Sequence, residues 1–424
     1  MPDSRRSFLE RSALAASAFT IIRPELLRGA GKEKLTAGLI GCGGRGTQAV
    51  ENLLTGDPNV ELVAVADVFE DRQESSLKRL RGLDPKISSR IKVTPETRFI
   101  GFDAFKKLIA SDIDIVMLAT PPGYRPEHFE AAINARKHVF CEKPFGVDPV
   151  GVRRSMDAAK KSEELKLTVV SGAQRRFQRV YVESVDKIKQ GAIGDVAATY
   201  AYWVGGPVIQ QKERNAQWGD MEWQHRAWYS FVWICGDQVV EQHLHNIDVC
   251  NWVMGAHPVK CVASGGAAWR PKEEIYGNIY DHVTADFTYA NGVHMSSYCR
   301  QYPKGCHQNI SELVVGTKGR TNCMDLASPE ARKRAREPME NPYVREHIAM
   351  LNSIRGDGPY INHAMAVAES TMTCVMARES AYSGMELTWD MMMNSKLDLQ
   401  PKNFDYKLKM DVPPLPVPGV YKFI

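Results

Sequence analysis

A glycine-rich loop between an apolar segment and a helical segment limits this chain to few folds. The apolar residues 35–40 lead into Gly41-Cys42-Gly43-Gly44-Arg45-Gly46, which satisfies the pattern G-x-G-x-x-G, and residues 47–54 have helical character. A second apolar segment, residues 60–66, ends at Asp67. In such a unit the first glycine allows a tight turn, the second lets a pyrophosphate approach the backbone, and the third lets helix and strand pack closely. The order of these parts predicts a dinucleotide site with the phosphates at the helix N-terminus.

The acid at the end of the second strand indicates which nicotinamide cofactor the site prefers. Asp67 can accept hydrogen bonds from the adenosine ribose hydroxyls, and it would repel a 2′-phosphate. Arg72 lies five residues further on and could instead accommodate such a phosphate. The sequence therefore favours NAD over NADP.

Further alternation of strand and helix predicts the rest of the first domain. The predicted elements are a strand at 114–120, a helix at 127–135, a strand at 138–141, a helix at 152–165 and an extended segment at 167–171. Repeated β–α alternation is typical of a doubly wound parallel sheet, whose ligands bind beyond the carboxyl ends of the strands. The loops at 41–46, 120–122 and 142–144 all follow predicted strands, so we expect them to meet at one site.

These loops, with a histidine that follows one of them, resemble a known family. They are the glycine loop 41–46, Ala119-Thr120-Pro121-Pro122 followed by His128, and Glu142-Lys143-Pro144. Together they resemble the Gfo/Idh/MocA oxidoreductases, the relatives of glucose–fructose oxidoreductase and inositol dehydrogenase. The resemblance extends through residues 174–177 and 240–248 and covers most of residues 35–390. Within the family it is strongest to the twin-arginine-exported branch found in bacteria such as planctomycetes.

The resemblance implies two domains behind a signal segment. The first is an N-terminal Rossmann domain with a doubly wound parallel sheet, and the second is a C-terminal α+β domain with an open, mainly antiparallel sheet. We assign residues 31–165 to NAD binding, and residues 166–424 to substrate binding and oligomerisation. In the second domain the sequence predicts strands at 196–204, 259–264, 283–289 and 294–299, a hairpin turn at 289–293, a helix at 364–383 ending at Gly384, and a wrapping or exchange arm at 413–418.

The predicted catalytic residues are a lysine, a histidine and a glutamate. Hydride transfer from an alcohol to NAD requires that the hydroxyl proton leave to a nearby base. The resemblance implies that Lys143 lies at the nicotinamide and touches the substrate hydroxyl. Glu241 and His245 are four residues apart and share one face if the segment is helical. Family members similar to inositol dehydrogenase carry Asp and His at this spacing, which implies that His245 is the base and that Glu241 replaces the aspartate. His243 is the rival base. A zinc site of His and Glu is the alternative, although the resemblance implies no metal.

The predicted binding residues fall into two groups. Those predicted to contact the cofactor are Gly41, Cys42, Gly43, Gly44, Arg45, Gly46, Asp67, Arg72, Thr120, Pro121, His128, Glu142 and Lys143. For the substrate, aromatic residues concentrated between 200 and 233 offer faces on which sugar rings can stack, although they could equally fill a core or a subunit interface. Those predicted to contact the substrate are Arg175, Arg176, Trp228, Tyr229, His243 and His282, with Arg226 and Arg300 as further polar candidates.

The N-terminus predicts export. Arg5-Arg6 followed by Phe8-Leu9 resembles a twin-arginine signal, and the eleven apolar or small residues at 12–22 are too few to span a bilayer. We expect residues 1–30 to be a signal peptide, and the mature protein to be periplasmic or otherwise exported, without stable membrane insertion. A net charge of +4 is too balanced for nucleic-acid binding, and nine cysteines without a CxxC pair predict free, buried thiols.

Three functions follow from these observations. The first is an NAD-dependent oxidoreductase that acts on a secondary hydroxyl of a sugar or polyol and holds its cofactor tightly, because free NAD is not expected to be recycled outside the cytoplasm. The second is an NAD-dependent glycoside hydrolase that uses transient oxidation and elimination, as some relatives of the family do. The third is a sugar-binding sensor that has kept its nucleotide domain without turnover. The resemblance also implies a homodimer or homotetramer.

Overall fold

A computed structural model describes residues 31–208 and 212–424 of the chain. The predicted signal peptide, residues 1–30, lies outside the described residues. Two sheets and their covering helices make up the described structure, one parallel and one mainly antiparallel. This arrangement confirms the predicted fold class.

The first sheet is the parallel sheet of a doubly wound domain. Its strands are β1 (Leu35–Ile40), β2 (Val60–Asp67), β3 (Arg98–Ile100), β4 (Ile115–Leu118), β5 (His138–Cys141) and β6 (Val169–Ser171). They run in the order β3-β2-β1-β4-β5-β6, and every pair is parallel. The strand order reverses between β1 and β4, where a crevice for ligands forms in such folds. The glycine loop after β1 and the loops after β4 and β5 therefore meet at one edge of the sheet.

Helices cover both faces of this sheet. They are α1 (Gly44–Gly56), α2 (Glu70–Arg81), α3 (Pro85–Ser88), α4 (Ala104–Ala110), α5 (Arg125–Asn134) and α6 (Pro149–Glu164). Successive residues of β1 belong to opposite cores, since Leu39 packs in one apolar cluster and Ile40 in the other. Helix α6 begins where the Asp148 carboxylate accepts a hydrogen bond from the Gly151 amide at 2.6 Å, which satisfies a free amide of its first turn. Burial on both faces explains why these strands are continuous apolar runs.

The second sheet is antiparallel except for one pair of strands. Its strands are β7 (Val196–Gly205), β8 (Lys260–Gly266), β9 (His282–Thr288), β10 (His294–Gln301), β11 (Asn309–Gly316), β12 (Gly319–Thr321) and β13 (Leu387–Thr388). The order is β12-β11-β7-β10-β9-β8-β13, and only β7 and β10 are parallel neighbours. The predicted hairpin joins β9 to β10. Its turn is not of the primed type that Asn-Gly favours, because of the two residues only Gly292 has a positive φ, 81°.

Helices cover one face of the second sheet and leave the other open. The helices that follow β6 in the chain are α7 (Arg179–Lys189), α8 (Asp220–Arg226), α9 (Val232–Cys235), α10 (Gln238–Glu241), α11 (Leu244–Met254), α12 (Pro329–Arg334), α13 (Pro342–Arg355), α14 (Ala364–Ser383) and α15 (Trp389–Asn394). α11 and α14 pack on the covered face. α14 ends at Gly384 as predicted, with φ of 75° and its amide donating to the Ser380 carbonyl. On the open face Val262 and Tyr298 are 52% and 45% exposed.

The two domains are joined more closely than a boundary at residue 165 suggests. Strand β6 belongs to the first sheet but begins at Val169, which lies beyond the predicted boundary at residue 165. The position of the domain boundary stays a prediction. Helix α13 packs back on α1 of the first domain. The C-terminal segment that contains the predicted arm at 413–418 packs against the second domain of the same chain. The Tyr280 hydroxyl donates to the Pro416 carbonyl at 2.6 Å, and the Gly419 amide donates to the Ser383 carbonyl at 3.0 Å.

Three further properties hold for residues 31–208 and 212–424. None of their helices has both the length and the apolar character needed to cross a membrane. No group of three or more His, Cys, Asp and Glu side chains in this part of the chain is arranged to hold a metal ion. All nine cysteines are free, and Cys306 alone among them is exposed.

Candidate active site

The three glycines of the loop after β1 differ in how much space surrounds them. Gly41 has a φ of 98°, and a β-carbon there would lie 2.6 Å from the Ala119 carbonyl carbon. A β-carbon at Gly46 would lie 2.0 Å from the Gly41 carbonyl oxygen, so α1 and β1 could not pack as closely. At Gly43 a β-carbon would meet nothing within 4 Å. The first and third glycines therefore serve packing, and the second leaves open space beside the backbone, as a phosphate site requires.

Asp67 is tied to the glycine loop. Its carboxylate accepts hydrogen bonds from the Cys42 amide at 2.6 Å and from the Phe69 amide at 2.9 Å. Burial raises the pKa of Asp67, while these two amides act in the opposite direction. The carboxylate is thus fixed at the end of β2, and Arg72 lies beside it on the same cavity wall.

A cavity of about 710 Å³ lies at the carboxyl edge of the first sheet and is lined on one side by residues of the second domain. Among the predicted cofactor residues, those that line it are Gly41, Gly43, Gly44, Arg45, Asp67, Arg72, Thr120, Pro121, His128, Glu142 and Lys143. The predicted catalytic residues Glu241 and His245 line the same cavity. Cys42 and Gly46 belong to the loop but do not face the cavity. One cavity therefore holds the predicted phosphate loop and all three predicted catalytic residues.

An ion-pair cluster joins the glycine loop to the loop after β5. Arg45 Nε lies 2.5 Å from Glu142 Oε1, and Arg45 Nη2 lies 3.2 Å from Glu346 Oε1. Glu346 is fully buried on α13, and burial, with the nearby Glu142 charge, raises its pKa well above 4.5. Arg45 also lies over the Tyr343 ring, 4.7 Å from its centre. Arg45 and Glu142 thus hold each other in place at the cavity wall.

His128 lies deeper in the wall beside the Thr120 loop. Its ring stacks on Phe105 at 4.1 Å, and its Nδ1 is 3.4 Å from Thr120 Oγ1. Burial, with smaller contributions from nearby Arg and Lys charges, lowers its pKa to about 3. A neutral His128 therefore supports the loop that follows β4.

Lys143 is held by Glu241 across the domain interface. The ammonium donates to Glu241 Oε1 at 2.9 Å and also to the main-chain oxygen of Glu241. The two side chains are only 11% and 12% exposed, and the Lys143–Pro144 peptide bond is cis. Two bonds from one residue fix the position of the ammonium at the cavity wall.

His245 faces the cavity one turn beyond Glu241. The predicted single helix is in fact two, because α10 ends at Glu241 and α11 begins at Leu244. The His245 ring stacks on Trp203 with 5.8 Å between ring centres, and its buried Nδ1 has no hydrogen-bond partner among residues 31–208 and 212–424. Burial, then the charges of Lys143, Arg175 and Arg45, lower its pKa well below 6.5. The imidazole is therefore neutral and can accept a proton.

Most of the residues predicted to contact substrate do not reach this cavity. The two arginines of the 174–177 segment pair with buried acids, Arg175 with Glu312 and Arg176 with both oxygens of Asp248 at 2.8 Å. These pairs tie the segment to β11 and α11. The structure therefore gives both arginines a structural contact, and a substrate contact for them has no geometric support.

The four remaining residues predicted to contact the substrate are His243, His282, Tyr229 and Trp228. His243 is fully buried, with Nε2 2.7 Å from Ser297 Oγ, and unlike His245 it does not line the cavity. His282 pairs with Asp281 at 2.8 Å, and Tyr229 accepts a bond from the buried Gln301 amide at 2.8 Å. Trp228 is the one of the six that lines the cavity. Several neighbouring aromatic side chains, among them Trp223 and Phe231, fill a core, which is the alternative that the sequence left open.

Several cavity residues were missed by the sequence analysis. Arg125 is buried, donates to the Pro144 carbonyl at 2.9 Å, and has no ion-pair partner in the described part of the chain. Tyr124, His225 and Tyr343 also line the cavity. Arg125 follows the loop after β4, and a position just beyond the carboxyl end of a parallel strand could have indicated that it lies at the site. Tyr343 and His225 come from distant segments, so local patterns could not indicate them.

The comparisons with known proteins agree with this geometry. Residues 35–170 match the family model described as an oxidoreductase family with an NAD-binding Rossmann fold. This model is that of the Gfo/Idh/MocA family, which the sequence resembles. The match supports the predicted family and confirms NAD as the cofactor. The twin-arginine-exported branch stays a prediction.

Relatives of the oxidoreductase are inositol dehydrogenases. The inositol 2-dehydrogenase of Rubrobacter xylanophilus is 27% identical over 335 residues, 76% of this chain and 82% of that protein. The myo-inositol 2-dehydrogenase of Thermotoga maritima is 23% identical over 283 residues, 67% of this chain and 73% of that protein. The names of these relatives are those of enzymes that oxidise a CH–OH group, which confirms the predicted enzyme class.

A solved structure supports the fold over nearly the whole oxidoreductase. The scyllo-inositol dehydrogenase from Lactobacillus casei, with bound NAD(H) and scyllo-inositol, superposes with a TM-score of 0.63 and 19% identity. The match covers 84% of this chain and 99% of that chain. At this identity the similarity establishes the two-domain architecture.

Proposed function

We propose that the oxidoreductase transfers a hydride between NAD and a secondary hydroxyl of a sugar or polyol. The observation that carries this proposal is that Lys143, Glu241 and His245 line the same cavity as the glycine loop. The relatives named for inositol supply the substrate class, a ring that carries several hydroxyl groups. Trp228 at the cavity wall offers an apolar face for such a ring.

Two side chains act together on the substrate hydroxyl. The Lys143 ammonium donates a hydrogen bond to the hydroxyl oxygen and stabilises the negative charge that develops there. His245 accepts the hydroxyl proton, because its imidazole is neutral and has a nitrogen without a partner. Glu241 holds Lys143 at 2.9 Å and so keeps the ammonium at the cavity wall. When bound, NAD supplies the hydride acceptor, the C4 carbon of its nicotinamide.

The cofactor site fits NAD on the evidence of this chain's own residues. The space beside Gly43 leaves room for a pyrophosphate, and the N-terminus of α1 provides free amides to bind it. Asp67 presents a carboxylate at the end of β2, where the adenosine ribose binds in this fold. We propose that the cofactor stays bound between turnovers, reduced by one sugar and reoxidised by a second.

We propose that the enzyme works after export by the twin-arginine route. Arg5-Arg6 and the apolar residues 12–22 support this proposal. The test is fractionation of cells that express the full chain or its Arg5→Lys/Arg6→Lys variant, because that exchange keeps the charge and removes the guanidinium pair. Retention of the variant in the cytoplasm supports export by this route. An equal distribution of both chains contradicts it.

A panel of sugars and polyols tests the reaction. The purified protein is analysed by mass spectrometry for released nucleotide and is then mixed with each compound, while the absorbance of reduced nicotinamide is followed. Reduction of bound NAD by a sugar or polyol, and reoxidation by a second, is the expected result. Release of an aryl group from a synthetic glycoside without net NADH would instead favour the glycoside hydrolase. Binding of sugar without either reaction would favour the sensor.

We also propose that two copies pair through the open face of the second sheet. Tyr200, Tyr202 and Tyr298 form a stacked row on this face, and Val262 on β8 of the same sheet is 52% exposed. Apolar side chains exposed together on one sheet face mark an interaction surface, and a second copy of the chain offers the same face. Light scattering during gel filtration of the wild type and of a Tyr298→Lys/Val262→Lys variant tests this. A dimer or tetramer that dissociates in the variant is the expected result, and a monomeric wild type contradicts it.

A further inference from the structure

The adenosine end of the cavity is built from both domains. In a Rossmann site the acid at the end of the second strand binds the adenosine ribose, so Asp67 marks this end. Around Asp67 the cavity is lined by Phe69 and Phe102 of the first domain, and by His225 and Arg226 from α8 of the second. Arg226 therefore lies at the adenosine end, and not at the substrate position that the sequence offered as a candidate.

Helix α8 forms one unit with a segment from the far end of the chain. The Met221 amide donates to the Leu408 carbonyl at 3.1 Å, and the Met410 amide donates to the Asp220 carboxylate at 3.2 Å. A β-carbon at Gly219 would lie 2.3 Å from the Tyr406 carbonyl oxygen, so the two segments are in close contact. We call α8 together with residues 404–410 the adenosine clasp.

The adenosine clasp is attached to the two loops that bound the adenosine end. The Arg226 guanidinium lies 4.0 Å from the centre of the Phe69 ring, and its Nη1 lies 3.2 Å from Asp71 Oδ2. The Tyr406 hydroxyl donates to the main-chain oxygen of Val68, the residue after Asp67. The Tyr406 ring also packs 4.7 Å from the Phe102 ring.

A buried hydrogen bond adds a third attachment. The His225 Nδ1 lies 2.6 Å from the Met221 carbonyl, so Nδ1 carries the proton and Nε2 accepts from the Tyr124 hydroxyl. Burial lowers the pKa of His225 to about 4, which keeps this ring neutral and this arrangement intact near neutral pH. Tyr124 belongs to the loop after β4 and lines the same cavity.

We propose that the adenosine clasp is a part of the cofactor site contributed by the second domain, and that it limits the rate at which NAD leaves. The proposal rests on the proposed function only in that the cavity binds NAD. A planar guanidinium and aromatic rings are groups on which an adenine ring stacks well. The clasp covers the adenosine end on the side of the second domain, so release through that side must first break the Arg226–Asp71 and Tyr406–Val68 contacts.

The rate of NADH release tests the adenosine clasp. The full mature protein is loaded with NADH, mixed with excess NAD, and the loss of the fluorescence of bound NADH is followed. Arg226→Gln should release NADH about tenfold faster, since loss of a charge-assisted contact is of that size. Tyr406→Phe keeps the ring, loses one hydrogen bond, and should release NADH several-fold faster.

Arg355→Gln is the matched control for loosening of the two domains. Arg355 of the second domain pairs with Asp57 of the first, both side chains are mostly buried, and neither lines the cavity. This variant should release NADH at the wild-type rate. Wild-type release from both clasp variants, or equally fast release from Arg355→Gln, would overturn the proposal. No sugar is needed, so a failure to find a substrate leaves this test intact, whereas a protein that binds no NADH contradicts the clasp and the proposed function together.

Discussion

His347 makes the folding of this protein sensitive to acid in a way that one substitution can measure. The residue is fully buried on α13, 4.4 Å from the Phe140 ring, and neither ring nitrogen has a hydrogen-bond partner in the described residues. Burial, with a smaller contribution from Arg45, lowers its pKa from 6.5 to about 3. Below pH 6.5 the unfolded chain therefore binds a proton that the folded chain does not, so the free energy of unfolding falls as the pH falls toward 3.

The size of the effect follows from the two pKa values. As the pH falls from about 7.5 to about 5.5, burial of His347 lowers the free energy of unfolding by about 1.4 kcal/mol, because the imidazole gains its proton in the unfolded chain and not in the folded one. Over this range His347→Leu should lose about 1.4 kcal/mol less than the wild type. Urea unfolding followed by tryptophan fluorescence, without added nucleotide, measures the difference. His307→Leu, which removes an exposed histidine, is the matched control. Equal pH dependence of the wild type and His347→Leu would refute the argument.

Three further substitutions test the site. Lys143→Ala should lower the rate at least about 10²-fold with little loss of fold, measured by steady-state kinetics and circular dichroism, because a positioned proton-transfer group contributes on that scale. Gly46→Ala should destabilise the first domain, since its β-carbon would lie 2.0 Å from the Gly41 carbonyl oxygen. Gly43→Ala should fold normally and bind NADH more weakly, because its β-carbon would occupy the open space beside the loop. Thermal melts measure the first effect, and fluorescence titration with NADH measures the second. Arg125→Met should lower kcat more than it lowers thermal stability, because the Pro144 carbonyl that Arg125 holds at 2.9 Å adjoins Lys143; an unchanged kcat would count against this role.

The parts of the molecule that were predictable from sequence are those whose signal is local. The glycine loop, the apolar strands and the acid Asp67 lie within one stretch of chain, and the structure places them as expected. The spacing of Glu241 and His245 also brought both to the cavity, although the helix breaks between them. Each of these features is specified by residues that lie close together in the sequence, so the pattern of one segment is enough to predict it.

The substrate side could not be predicted in the same way. Arg175 and Arg176 are polar residues in a promising segment, but their acid partners Glu312 and Asp248 come from distant elements. Whether an arginine faces a ligand or a buried carboxylate is decided by that long-range pairing, which no local pattern contains. Arg226 shows the same limit, because the Asp71 and Phe69 contacts that fix it at the adenosine end cross the domain interface.

The contacts that build the cavity cross that interface repeatedly, and this determines when an active site exists at all. Lys143 of the first domain is fixed by Glu241 of the second, and Arg45 of the glycine loop is fixed in part by Glu346 of α13. An isolated first domain would lack the Glu241 carboxylate, and a long lysine side chain keeps one position only where partners offset its lost rotamer freedom. Docking of the second domain therefore does more than add a substrate surface, because it also orders the lysine that the nicotinamide end of the site requires.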